Sequence, residues 1–196
     1  MSTTATDPTW KSLYRIGATA PLIALAFYLS QFLIVFSGAT YPTTPEGWFA
    51  LLQRSKLLGL FFLNALDVIS IALLGLMFLA LYVALRQANP SLAAIAAFLT
   101  FLGIAVFVSS RAEAVSATLS LSDQYAAART EAEQSQIVAA AQAVFAPTRA
   151  TPETAGFFFV AVAGLVFSLV ILQSRNLGRL VAYVGVLAGL VLSLIH

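Results

Sequence analysis

Apolar residues in this chain gather in long unbroken blocks, separated by short polar clusters, with no stretch of strict alternation. A run of about 20 apolar residues reads as a helix with lipid or another apolar helix on every side, because that length spans roughly 30 Å of hydrocarbon. The blocks predict five spanning helices over residues 16–37, 57–85, 91–111, 154–172 and 177–195. The fold class that follows is all-α, a polytopic transmembrane bundle forming one membrane domain over residues 1–196. Its backbone groups are then satisfied within each segment, as the bilayer demands.

The punctuation between blocks sets the connections. Trp10 and Tyr14 suit the membrane interface, with Lys11 and Arg15 at the headgroups. The first block is too long for a signal-peptide core, and cleavage after Ser37-Gly38-Ala39 is the competing reading. Pro42 and Pro45 predict a loop that docks Trp48 at the surface. Gln87-Ala88-Asn89-Pro90 is a tight connection with proline at the start of the next helix, so the second and third blocks form an antiparallel hairpin.

Beyond Val108 the chain turns small and polar, with Ser110, Ala114, Thr118 and Ser122 at every fourth position. A helix that continues there presents a narrow face to a close-packed partner; the alternative is a helix simply leaving the bilayer. From Asp123 to Pro152 the residues Glu131, Glu133, Gln134, Gln136 and Gln142 exclude a span. Ile137, Ala141, Val144 and Phe145 share one helical face, which predicts an amphipathic insert over about 123–146, on the membrane surface or capping the bundle. A loose acidic loop is the alternative. Gly185 and Gly189 form a small-xxx-small pair after the basic turn Gln173-Ser174-Arg175-Asn176.

Composition narrows the chemistry. With 60% hydrophobic and 9% charged residues there is too little polar surface to coat a soluble domain, and a net charge of +2 gives no basis for nucleic-acid binding. The chain has no cysteine and a single histidine, His196, which excludes disulfides, thiolate metal sites and a histidine pair. No spacing resembles a Ser-Lys dyad, a paired-carboxylate metal site or a phosphate-binding glycine loop, so no catalytic residue or metal site is expected, and the sequence implies no particular cofactor. A further reading makes His196 an axial ligand to a partner's pigment or haem, and Phe157-Phe158-Phe159 reads as packing. Lys11, Arg15, Arg86, Arg175 and Arg179 share one side with one acid, Asp7, whereas the other side holds as many basic residues and six acids. The basic short loops place the amino terminus in the cytoplasm and the carboxyl terminus and residues 112–152 outside the cell (inner or plasma) membrane.

Asp67 is the residue that asks for an explanation, being an ionisable group in an apolar block. Counted from the Ala88–Asn89 turn, Asp67 and Arg111 lie at nearly equal height, roughly 32–34 Å along each arm, and Asn64 lies opposite Glu113. A polar cluster of Asn64, Asp67, Arg111 and Glu113 is expected at the outer end, within reach of Ser30 and Gln31 of the first block. It admits three readings: a clamp between two helices, a site where Asp67 binds a cation, a proton or a ligand headgroup, or an Arg111 that snorkels to water while Asp67 faces something else.

The stretches RIGATAPLIALAF, the Asp-bearing second block with its Asn-Pro turn, and AYVGVLAG after a basic connection resemble a family of bacterial polytopic membrane proteins, the domain of unknown function number four-three-eight-six. Members carry a further helix after the last one here, so the resemblance implies a bundle short of that helix. It implies no activity and carries over no functional residue. Two classes of function stand on the residues: a non-enzymatic accessory subunit, partnered by another membrane protein or by its own copies, and a small transporter or lipid-binding protein that uses the Asp67 cluster.

Overall fold

The structure, a computed structural model, describes residues 8–36, 41–146, 150–174 and 180–187. A 3-10 turn, Pro8–Trp10, leads into α1 (Lys11–Phe36), followed by α2 (Pro45–Arg54), α3 (Lys56–Phe62), α4 (Ala65–Leu85), α5 (Pro90–Ala127), α6 (Glu131–Phe145) and α7 (Ala150–Gln173). Residues 180–187 are helical again, and no strand occurs among the described residues. Four helices are long and apolar enough to cross a membrane: Lys11–Ile34, Ala65–Leu85, Pro90–Ala127 and Pro152–Gln173. Of the expected fifth span only 180–187 is described, and Gly189 and His196 lie outside the described residues.

Two expected boundaries change. The block 57–85 is two helices, because Asn64 adopts a left-handed conformation (φ 55°, ψ 34°) between α3 and α4. Asparagine tolerates that region better than any branched residue. Leu63 and Asn64 close α3 by donating to Gly59 O and Phe61 O, at 2.8 and 3.0 Å. The third helix does not stop near residue 111. Its 38 residues make a rod of about 57 Å, nearly twice the hydrocarbon thickness.

Helix α5 is the central element, flanked by α4 and α7, while α1 packs on the far side of α4. Glycine permits the tightest approach. A Cβ on Gly103 of α5 would stand 2.6 Å from the carbonyl oxygen of Gly156 on α7, and one on Gly156 would stand 2.8 Å from that of Gly103. Backbone therefore rests on backbone where these helices cross. Helix α1 meets α4 along Gly17, Ala20 and Ala24, with Gly17 against Ala80. Its opposite face keeps Leu33 66% and Phe36 72% exposed, the distribution of a helix that presents large side chains to lipid. The core between α4, α5 and α7 centres on Phe78 stacked on Phe167, with centroids 5.7 Å apart, and takes in Ala182 of the 180–187 helix.

The two ends of the bundle differ. At one, Arg86 lies over the Trp10 ring at 5.4 Å and Asn89 donates to Gln173 at 3.2 Å, so the ends of α1, α4, α5 and α7 meet. Asn89 also caps α5 by accepting from Leu92 N. At the other end, α2 and α6 fold against the extension of α5. Gln53 donates to Ser122 O at 2.9 Å, Phe49 packs on Tyr125 at 5.0 Å and Lys56 faces Asp123 at 3.6 Å. Trp48, expected at a surface loop, sits on helix α2 between Tyr41 and Phe145. The insert expected over 123–146 is divided: α5 runs on to Ala127, and α6 begins after Thr130 with a capping box, Glu133 N to Thr130 Oγ1 and Thr130 N to Glu133 Oε2, both 3.2 Å. Ala141 of α6 is buried.

Candidate functional site

The break at Asn64 decides where Asp67 stands. Helix α4 restarts at Ala65, and its 21 residues alone cover about 31 Å, enough for the hydrocarbon core. Asp67 thus lies in the first turn of a helix, near the end of its span that adjoins α3. There the unpaired N–H groups and the helix dipole favour a negative charge. Its own N–H bonds Asn64 O at 3.0 Å.

Gln31 of α1 donates through Nε2 to Asp67 Oδ1 at 3.1 Å. Tyr28, one turn earlier on α1, is within electrostatic range of both Asp67 and Arg111. Ser70, one turn deeper on the same face of α4, is fully buried, and its Oγ has no hydrogen-bond partner. Arg111 is near enough for its charge to act on Asp67, yet the ion pair it makes is with Glu153 of α7, Nη2 to Oε2 at 2.9 Å. Its guanidinium lies 5.6 Å from the Phe107 ring centroid, and its buried Nε is unpartnered. No ion pair within 4.0 Å joins Asp67 to Arg111 among the described residues, so the expected two-helix clamp is replaced by a pair linking α5 to α7.

The family description Domain of unknown function (DUF4386) matches residues 16–195. The chain belongs to that family. No curated protein and no solved structure matches it. Membership in DUF4386 supplies no reaction and no ligand, so the chemistry must come from the side chains themselves.

The remaining sequence-based candidates of this DUF4386 chain fall elsewhere. Asn64 shapes the backbone, and its side chain makes no capping bond. Glu113 lines a groove of about 430 Å³ on the flank of α5, with Ala105, Val106, Ser109, Ser110 and Pro152. Thr118 and Ser122 are buried in the cap, Ser110 and Ala114 half-buried, and Thr118 Oγ1 donates to Ala114 O at 2.8 Å. Beside Ser122 the occupant is α2 of the same chain. Gly185 lies against Ser168 of α7, also within the chain. Glu153 is the residue that sequence reasoning missed. Its signal was present, since an acid at the start of the fourth block must enter at the same end of the bundle at which Arg111 emerges.

Proposed function

We propose that the protein is a non-catalytic membrane protein that binds a small cation or a protonated amine at the Asp67 site, as part of transport or amphiphile binding. One observation carries this reading: Arg111 is matched by Glu153 at 2.9 Å, whereas the hydrogen bond to Asp67 Oδ1 comes from the neutral amide of Gln31. The cluster Gln31–Asp67–Arg111–Glu153 therefore holds one negative charge more than positive, in a place where a further positive charge is favourable. The buried hydroxyl of Ser70 is an available oxygen for the same ligand.

In this reading the end with Trp10, Arg86 and Asn89 faces the cytoplasm, and the cap of α2, α3, α6 and the α5 extension lies outside the cell membrane. An accessory-subunit role is the second reading, favoured by the large apolar face that α1 leaves uncovered. The small-residue faces that first suggested it are engaged within the chain at Ser122 and Gly185.

The test is thermal unfolding of the purified protein in mild detergent against a series of alkali cations and primary-amine amphiphiles. Saturable stabilisation by a cation or amine, absent in Asp67→Asn and kept in Glu113→Gln, supports the site. No stabilisation by any of them, or an equal response in Asp67→Asn, rejects it.

A further inference from the structure

Helix α1 packs on α4 through Gly17, Ala20 and Ala24, all buried. On the opposite face Lys11, Arg15, Ala18, Leu22, Leu25 and Leu29 recur at alternating steps of four and three residues, the spacing that keeps one line along a helix, and all six are exposed. That line begins with two cations and is apolar from there on. No acid occurs anywhere in α1.

Neither cation is matched within the chain, since the ion pairs among the described residues are Lys56–Asp123 and Arg111–Glu153. Every acid among the described residues, from Glu46 of α2 to Glu153 at the start of α7, belongs to the other end of the bundle. Arg86, over the Trp10 ring at 5.4 Å, adds a third positive charge at this one. Nor does Lys11 stabilise α1, because a cation at the start of a helix opposes its dipole.

The heights along α1 match one leaflet. Lys11 and Arg15 stand one turn apart, about 6 Å along the axis, so both can reach a single phosphate while their stems lie along the helix. Leu22 and Leu25 follow about 10 and 15 Å below Arg15, through the roughly 15 Å of hydrocarbon that one leaflet supplies. A partner helix would cover the leucines but leave the cations unmatched unless it brought an acid of its own. A bilayer supplies phosphate at that depth in any case.

We infer that the amino-terminal end of α1 seats one phospholipid with a net negative headgroup, its phosphate between Lys11 and Arg15 and an acyl chain along Leu22 and Leu25. Phosphatidylglycerol is held in preference to phosphatidylethanolamine and phosphatidylcholine, whose own ammonium groups offset the phosphate. The site is separate from Asp67, which lies at the opposite end of α4 from Arg86.

Native mass spectrometry of the full chain in mild detergent tests this, with the three lipids titrated separately. The wild type should bind phosphatidylglycerol about fivefold more tightly than the other two, about two- to threefold for each exposed ion pair. The preference should shrink as ammonium acetate is raised, because exposed charges are screened. The double variant Lys11→Gln with Arg15→Gln should bind all three alike. Each single variant should keep about a twofold preference, and the two singles decide if the double variant fails to insert. Arg54→Gln, which removes an exposed cation on α2, and Asp67→Asn should both keep the full preference. Equal binding of the three lipids by the wild type, a preference undiminished in the Lys11 and Arg15 variants, or a dimer of the chain that needs both cations and excludes the lipid would overturn the inference.

Discussion

The Arg111–Glu153 pair offers the sharpest test of the arrangement, because the sequence alone pointed Arg111 at a different acid. The two side chains are each 20% exposed and meet at 2.9 Å, so they are largely withdrawn from solvent. Removing one partner leaves the other charge without its match, which costs about 3 kcal/mol for a pair buried to this degree. For a chain of this length that is a fall of roughly 6–12 °C in midpoint, at about 2–4 °C per kcal/mol. Glu153→Gln and Arg111→Met should each show it in fluorescence-monitored unfolding in mild detergent, with Trp10 and Trp48 as reporters. The double variant should recover about 2 kcal/mol relative to the sum of the singles. Asp67→Asn should cost about 1 kcal/mol or less, since the amide oxygen still accepts from Gln31, and its coupling to Arg111→Met should be the smaller of the two. A larger coupling between positions 67 and 111 than between 111 and 153 would refute the assignment.

Three further outcomes follow from the geometry. Gly103→Val should lower stability by about 1–3 kcal/mol in the same assay, because its Cβ meets a backbone oxygen that cannot turn aside. Gly164→Ala, with nothing within 4 Å of the added carbon, is the control and should be neutral or gain up to about 1 kcal/mol from helix propensity. Asn64→Gly should leave the midpoint nearly unchanged, whereas Asn64→Val should cost about 1–2 kcal/mol at the positive φ. The absence of cysteine makes single-cysteine labelling clean: with a membrane-impermeant maleimide, Ser135→Cys should react in intact cells and Gln87→Cys only after permeabilisation. The reverse pattern would invert the proposed orientation.

Much of the bundle could be read from the sequence because hydrophobic length is a direct measure of span. The Asn89-Pro90 start of α5, with Asn89 as side-chain cap, and the hairpin it closes follow from local rules. Gln31 could be placed near Asp67 by counting along the first block, and the structure brings the two together. The break at Asn64 could not be seen that way: hydropathy averages over neighbours, and a single left-handed residue leaves the average untouched. Counting rise along a hairpin likewise gives height but not azimuth. Arg111 and Asp67 share an end of the molecule, yet the rotation of α5 is fixed by its crossing with α7 at Gly103 and Gly156, a pairing the order of blocks does not reveal.

The break also explains how an acid is accommodated in this segment. A continuous helix from residue 57 would carry Asp67 in its middle, with every neighbouring N–H already engaged and no dipole end nearby. By stopping at Phe62 and restarting at Ala65, the chain exposes a fresh helix start within one turn of the carboxylate. Helix α4 still spans without help from α3, which is left free to join the cap. There Ser55 serves both ends of a bend, closing α2 through its N–H to Leu51 O and opening α3 by accepting from Leu58 N. Tyr41 holds Phe62 edge-on at 4.9 Å, and Gly59 lies directly against Leu52. Because α2 is bound in turn to α5 through Gln53 and Phe49, the start of α4, and with it the position of Asp67, is set from the cap as well as from α1. Loosening the cap should therefore reach the acid without any change to a residue that touches it: Gln53→Ala, which removes the bond to Ser122 O, should alter the cation response attributed to Asp67. A cation response identical to wild type in that variant would show that the first turn of α4 is held by α1 alone.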